Sequence, residues 1–183
     1  MKLHLLPALK LSFLMLLLVS IVYPALVWGI AQFAPASGKV EFVKQNEKIV
    51  GVALVGQSFT QDRYFWSRPS AVNYNAAGSG GSNKADSNPD YQQTIKARID
   101  TFLVHNPTVK LNGIPSELIT ASGSGLDPDL SPQAALVQVA RISKNRHLPE
   151  QKLRELVEKQ TKKPLLGPQT VNVLALNLAL DHL

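Results

Sequence analysis

Two short stretches concentrate the residue types that do chemistry. Ser122-Gly123-Ser124-Gly125, followed by Asp127 and Asp129, precedes Ser131-Pro132, and Ser79-Gly80-Gly81-Ser82-Asn83-Lys84 lies upstream of it. Glycines beside hydroxyls serve phosphate cradles and nucleophile elbows, and paired aspartates serve cations. A phosphate loop needs G-x-x-x-x-G-K-[ST], so that backbone amides wrap the phosphate while the lysine reaches it. Here Asn83 precedes Lys84 and Ala85 follows it, so the pattern fails. A nucleophile elbow needs G-x-S-x-G. Ser124 stands between Ser122 and Leu126 at that spacing, and Ser79 between Ala77 and Gly81, so both fail.

The remaining polar groups also have simpler readings. Asp86-x-Asn88-x-Asp90 opens like a calcium loop, but Tyr91 stands where that loop needs glycine and Ala97 where it needs a bidentate carboxylate. Asn88 or Ser87 capping a helix that starts at Pro89 accounts for the cluster better. Asp127-Pro128 reads as a turn before a capped helix rather than half of a cation pair. His4, His105, His147 and His182 show no metal-ligand spacing. The chain has no cysteine, which excludes a thiolate nucleophile, a disulfide framework and a Cys-ligated metal. The expectation is no catalytic residue, no metal and no bound cofactor in this chain.

The net charge of +6 comes from scattered Lys and Arg, with no basic arm and no aromatic platform, so no nucleic-acid partner is expected. From Leu11 to Ala31 no side chain is charged. Such a run of ~20 residues spans ~30 Å as a helix, the thickness of a bilayer's hydrocarbon core. Lys2 and Lys10 precede it and Trp28 lies near its far end, where an amphipathic ring suits the interface. The rival is a cleaved secretory signal ending at Ala34-Pro35-Ala36, but the apolar run exceeds the ~7–15 residues of a signal core. The predicted organisation is a short cytoplasmic N-terminus (1–10), a transmembrane helix (11–31), a linker (32–48) and one exported soluble domain (49–183).

That domain reads as α+β: a single extracytoplasmic mixed α/β domain with a small sheet. The spacing predicts a strand over 49–59 and another over 114–122. Between the first strand and the helix at Pro89 runs a Ser/Asn/Gly-rich loop, whose Tyr64, Phe65, Trp66 and Tyr74 need somewhere to bury. Tyr91, Ile95, Ile99 and Phe102 give the Pro89 helix a core stripe. Ser131-Pro132 opens a second helix, with Ala135, Leu136, Val139 and Ile142 on one face. Arg141, Lys144 and Arg146 then complement the dipole at its end. A third helix follows Pro149. The last segment, 170–181, is compatible with a strand running into a helix, and periodicity alone leaves that open.

Four segments in series resemble one family: "GQSFTQDRYFWSRPSAVNYN", "SGGSNKADSNPDY", "ITASGSGLDPDLSPQAALVQVARI" and "VNVLALNLALD". Their order and spacing resemble KdpC, the C subunit of the bacterial potassium-transporting P-type ATPase. The departures are Ala76 and Ala140, where that family usually has proline, and Lys84, where it usually has an apolar residue. The resemblance implies a non-catalytic accessory subunit of a high-affinity potassium uptake complex. It implies a single-pass inner-membrane location with the domain outside, and two partners besides membrane lipid: a channel-like potassium carrier and the P-type ATPase chain that holds the catalytic residues. It implies a role in assembly and in coupling or gating, with ATP reached only through the complex. A further family suggestion is nucleotide contact through Ser122, Gly123, Ser124, Gly125 and Gln138. The other motif residues are then docking or structural: Arg68, Pro69, Ser70, Ser79, Gly80, Gly81, Ser82, Asn83, Asp127, Asn172 and Asn177. The reading outside this family is a free-standing periplasmic small-ligand-binding protein, released after signal cleavage.

Overall fold

The structure is a computed structural model that describes residues 2–183. It divides into two compact units, which meet between Glu41 and Phe42.

The first unit is helical. Helix α1 (Lys2–Leu17) passes through a π-helical turn (Leu18–Val22) into α2 (Tyr23–Ala31). Pro24 explains the wide turn. It has no N–H to donate, and its ring crowds the carbonyl one turn back. The chain answers by widening the turn, and Tyr23 N–H bonds Leu18 O, five residues back. His4–Ala31 is long and apolar enough to cross a membrane, and its most apolar stretch has no buried residue. The helix begins before the expected span, so residues read as an N-terminal tail are its first turns.

The second unit is α+β. Strands β1 (Phe42–Gln45) and β2 (Lys48–Val52) form an antiparallel hairpin. Its two-residue turn, Asn46-Glu47, has both φ angles positive, the twist that suits a tight hairpin. Strand β1 thus lies inside the stretch read as linker, and β2 ends at Val52 rather than running on to residue 59. Beyond it Val55 N–H turns back to Val52 O at 3.2 Å. Helix α3 (Pro89–His105) starts as expected, with Asn88 accepting from Tyr91 N–H at 3.1 Å. Of its apolar stripe only Phe102 is buried; Tyr91, Ile95 and Ile99 line an apolar groove with Leu103 and Leu111.

The expected strand over 114–122 is a 3-10 turn at Ser116–Leu118. Pro115 brings no ladder donor, and Thr120 Oγ1 folds back onto Ser116 O at 2.8 Å, so the bonding stays local. A small antiparallel sheet has the order β3-β5-β4, from β3 (Asp129–Leu130), β4 (Thr161–Lys162) and β5 (Thr170–Asn172). Helices α4 (Pro132–Leu136) and α5 (Val139–Arg146) are two pieces of the one helix expected after Ser131. Ser131 caps the first through Ala134 N–H at 3.1 Å. Helix α6 (Glu150–Gln160) buries Leu153, Leu156 and Val157. The chain closes as strand into helix, with α7 (Val173–Leu180) capped by Asn172. Leu130, Ala134, Val139, Ile142, Leu153, Val171 and Leu176 form the centre of the core, together with Phe65 from the long loop.

Candidate functional site

The two Gly/Ser stretches meet. Gly80 N–H donates to Ser124 O at 2.8 Å and Ser79 Oγ to the same oxygen at 3.1 Å. A side chain added at Gly81 would lie 3.1 Å from Gly123 O. Ser70 Oγ donates to Gly125 O at 2.7 Å and accepts from Tyr74 N–H at 2.9 Å. Ser122 N–H reaches Pro69 O at 3.3 Å, and Ser122 Oγ accepts from Gly125 N–H at 2.9 Å. Gly125 has φ +67° and would place a Cβ 2.5 Å from Val72 Cγ2 and 2.8 Å from Gly80 O. Only glycine fits there, for both backbone angle and space. Ser82 and Asn83 are exposed, the latter in the left-handed region at φ +52°.

Arg68 ties the long loop to the segment before β3, its Nη1 lying 2.9 Å from Asp127 Oδ2. The other Asp127 oxygen accepts from Asp129 N–H at 3.1 Å, the Asp-Pro turn expected from the sequence. Among the described residues, the buried Arg68 Nε and Asp129 Oδ1 have no hydrogen-bond partner. The Tyr74 hydroxyl donates to Arg68 O. Burial raises the Tyr74 pKa above its ordinary value, against the opposing pulls of Ser67 and Arg98.

A second constellation holds the aromatic loop by side-chain amides. A buried backbone needs partners for every N–H and C=O, and among the described residues no strand lies beside segment 64–66 to supply them. Asn177 on α7 supplies both for Phe65: its Oδ1 accepts from Phe65 N–H and its Nδ2 donates to Phe65 O, each at 2.9 Å. Gln138, between α4 and α5, does the same for Trp66, accepting at 2.8 Å and donating at 3.4 Å. Gln138 Nε2 also donates to Ala134 O at 3.0 Å. Gln138 is fully buried and both of its amide atoms are partnered.

Arg141 completes this cluster. It was expected to stand at a helix end for the dipole, yet its side chain is buried. Its Nη2 donates to Gln138 Oε1 at 2.7 Å and to Tyr64 O at 3.1 Å, and its Nε donates to Asn106 Oδ1 at 3.1 Å. The guanidinium carbon lies 4.3 Å from the centre of the Trp66 ring. Asp62 sits 3.4 Å from Arg141 Nη1 and 2.8 Å from His105 Nδ1. Burial lowers the Arg141 pKa to about 10, and Asp62 opposes the drop. The group stays cationic at neutral pH. The available signal was the placement of Gln138 and Arg141 three apart within an otherwise apolar run. Asn172 bridges elsewhere, accepting from Ala175 N–H at 3.0 Å and donating to Ala53 O at 2.8 Å.

The side chains of Ser122, Ser124 and Gln138, suggested for nucleotide contact, are engaged by these bonds. Gln138 faces Trp66 and Arg141, whereas Ser122 and Gly125 face Pro69, Ser70 and each other. Ser124 O takes two donors from the neighbouring loop, and Ser124 Oγ accepts from Leu126 N–H at 3.1 Å. Asp127, close in sequence, adds negative charge beside this set.

The family described as "K+-transporting ATPase, c chain" (KdpC) matches residues 5–182. The chain belongs to the KdpC family. Among its relatives is the potassium-transporting ATPase KdpC subunit of Flavobacterium psychrophilum, 57% identical over 176 residues and covering 96% of both chains. The protein of the same name from Flavobacterium johnsoniae is 53% identical over 175 residues, again 96% of both. That of Bacillus cereus is 44% identical over 183 residues, covering 97% of this chain and 94% of the relative. The loop contacts and the amide cluster are therefore features of a KdpC chain, in which Ser70, Ser122, Gln138, Asn172 and Asn177 bond inside the fold.

Proposed function

We propose that this KdpC chain is the non-catalytic accessory subunit of an ATP-driven, high-affinity potassium uptake complex. It crosses the bacterial inner membrane once through the His4–Ala31 helix, with the N-terminus cytoplasmic and the 42–183 unit outside. There it serves assembly of the pump and its coupling or gating. Its partners are the channel-like potassium carrier and the P-type ATPase chain, which supplies the residues of ATP hydrolysis. The observation that supports this reading is the internal hydrogen bonding of Ser70, Gln138 and Asn177, in a chain of an ATPase-subunit family. Such residues shape a rigid body for docking.

The test is omission. A complex prepared without this chain loses potassium-stimulated ATPase activity or fails to assemble; normal activity in its absence refutes the reading. Orientation is checked with a cysteine in place of Val104, which is 76% exposed. A membrane-impermeant maleimide labels it from outside in intact cells. The second reading, a released small-ligand-binding protein, draws on a groove of about 750 Å³ lined by Trp66, Tyr74, Arg98, Phe102 and His105. It predicts a mature N-terminus near Ser37, whereas the accessory subunit keeps its N-terminal helix; intact mass separates them.

A further inference from the structure

Arg68, Arg141, Arg146 and Arg154 each meet a carboxylate. Arg98 on α3 differs. Among the described residues it pairs with no carboxylate, and its Nη1 donates to Ile119 O at 3.0 Å. It is half-buried, so part of its hydration is lost while its charge stays unmet. It lines the groove of about 750 Å³ that also holds Trp66, Tyr74, Phe102 and His105, and among the described residues no Asp or Glu lines that groove. His105 turns Nδ1 to Asp62 at 2.8 Å, which leaves Arg98 as the cation open to a ligand.

The walls are built in advance. Gln138 grips the Trp66 backbone, and Trp66 Nε1 donates to Gln61 O at 3.1 Å. The buried Phe102 meets the Trp66 ring edge-on, with centroids 6.4 Å apart. Tyr74 stands at φ +57°, an angle that bulky residues rarely adopt. It is pinned there by its N–H on Ser70 Oγ at 2.9 Å and by its hydroxyl on Arg68 O. A concave volume of ~300–1,000 Å³ with aromatic walls and few placed polar groups is the make-up of a small-molecule site.

We propose that this groove binds a small organic anion with one carboxylate and a flat apolar body. The carboxylate meets the Arg98 guanidinium, whose forked N–H groups match it in one plane, and the body lies against Trp66 and Tyr74. One spare cation suits one negative charge; a phosphate monoester brings about 1.5–2 and leaves the rest unmet. The site lies wholly within the 42–183 unit, so it does not depend on the accessory-subunit reading.

The test uses the full-length chain in lipid nanodiscs, with Trp28→Phe so that Trp66 is the one tryptophan. The Trp66 indole N–H is followed by NMR while 2-naphthoate or its neutral counterpart 2-naphthalenemethanol is added, with empty nanodiscs as the blank. Naphthoate shifts the resonance saturably, with a midpoint at least about 10-fold below that of the alcohol, as a charge-assisted contact requires. Arg98→Gln, which can still donate to Ile119 O, melts like its parent and brings the two midpoints within about 2-fold; Arg98→Lys keeps most of the preference. Equal midpoints in the parent chain, no saturable shift with either compound, or an undiminished preference in Arg98→Gln each overturn the proposal. Loss of the naphthoate shift once the chain is assembled with the other ATPase chains assigns the groove to a partner's side chain and overturns it as well.

Discussion

Replacing Gln138 by alanine separates the structural assignment of this residue from a ligand role. The substitution removes the acceptor of Trp66 N–H and one acceptor of the buried Arg141 guanidinium. A buried donor left without a partner costs about 1–3 kcal/mol, and a lost bond to a charged group about 1.5–3 kcal/mol. The two together give a destabilisation of about 2.5–6 kcal/mol. At roughly 3–4 °C of Tm per kcal/mol for a domain near this size, the melting temperature falls by about 8–24 °C. Gln138→Glu keeps the acceptors but loses the donors to Ala134 O and Trp66 O, so it falls between the two. The assay is thermal unfolding of the full-length chain in a lipid nanodisc, followed by near-ultraviolet circular dichroism of Trp66. A Gln138→Ala chain that melts within about 1 °C of wild type refutes the clamp, since the magnitude follows directly from buried partners. Lowered nucleotide affinity of the complex, with melting unchanged, would assign Gln138 to ligand contact.

Further outcomes follow from the same geometry. Arg141→Lys keeps the charge but cannot bond Asn106, Tyr64 and Gln138 at once, so it lowers stability by about 2–3 kcal/mol in denaturant titration. Gly125→Ala meets Val72 and Gly80 O as well as an unfavourable φ. It costs about 2–4 kcal/mol, against under 1 kcal/mol for Gly123→Ala, where nothing lies within 4 Å; paired thermal melts decide this. Burial raises the Tyr74 pKa in the folded chain, so between the ordinary value of 10.0 and that raised value the folded state holds a proton that the unfolded state has lost. Stability from this group is complete below pH 10 and declines above it; Tyr74→Phe flattens that part of the pH-stability curve. An unchanged slope after the substitution rejects the assignment.

The parts of the fold written in local chemistry were readable in the sequence. Asn88-Pro89 and Ser131-Pro132 announce helix starts by capping chemistry, and the structure uses both side chains as caps. The burial of Phe65, with partial cover for Tyr64 and Trp66, follows from aromatics in a loop too rich in them to stay in solvent. What escaped depends on long-range partners. The Ile114–Ser122 stretch has strand-like composition, but strand pairing is decided by a neighbour, and here Thr120 finds its partner locally. Arg141 carries the composition of a helix end, yet its partners lie up to 80 residues away in sequence, at Gln61, Asp62, Tyr64 and Asn106. The Gly/Ser stretches were visible as special; that they grip each other is a tertiary fact, since Ser79 and Ser124 are far apart along the chain.

The bracketing of Phe65 and Trp66 by Asn177 and Gln138 has a consequence for how this domain keeps its threading. A β-ladder offers the same donor and acceptor at every other peptide, so a two-residue slip can restore its bonds. Two amide side chains, one on α7 and one at the junction of α4 and α5, offer one address each. Sliding the chain past them forfeits both brackets and pulls the Phe65 ring from its socket, so the loop has a single parking position.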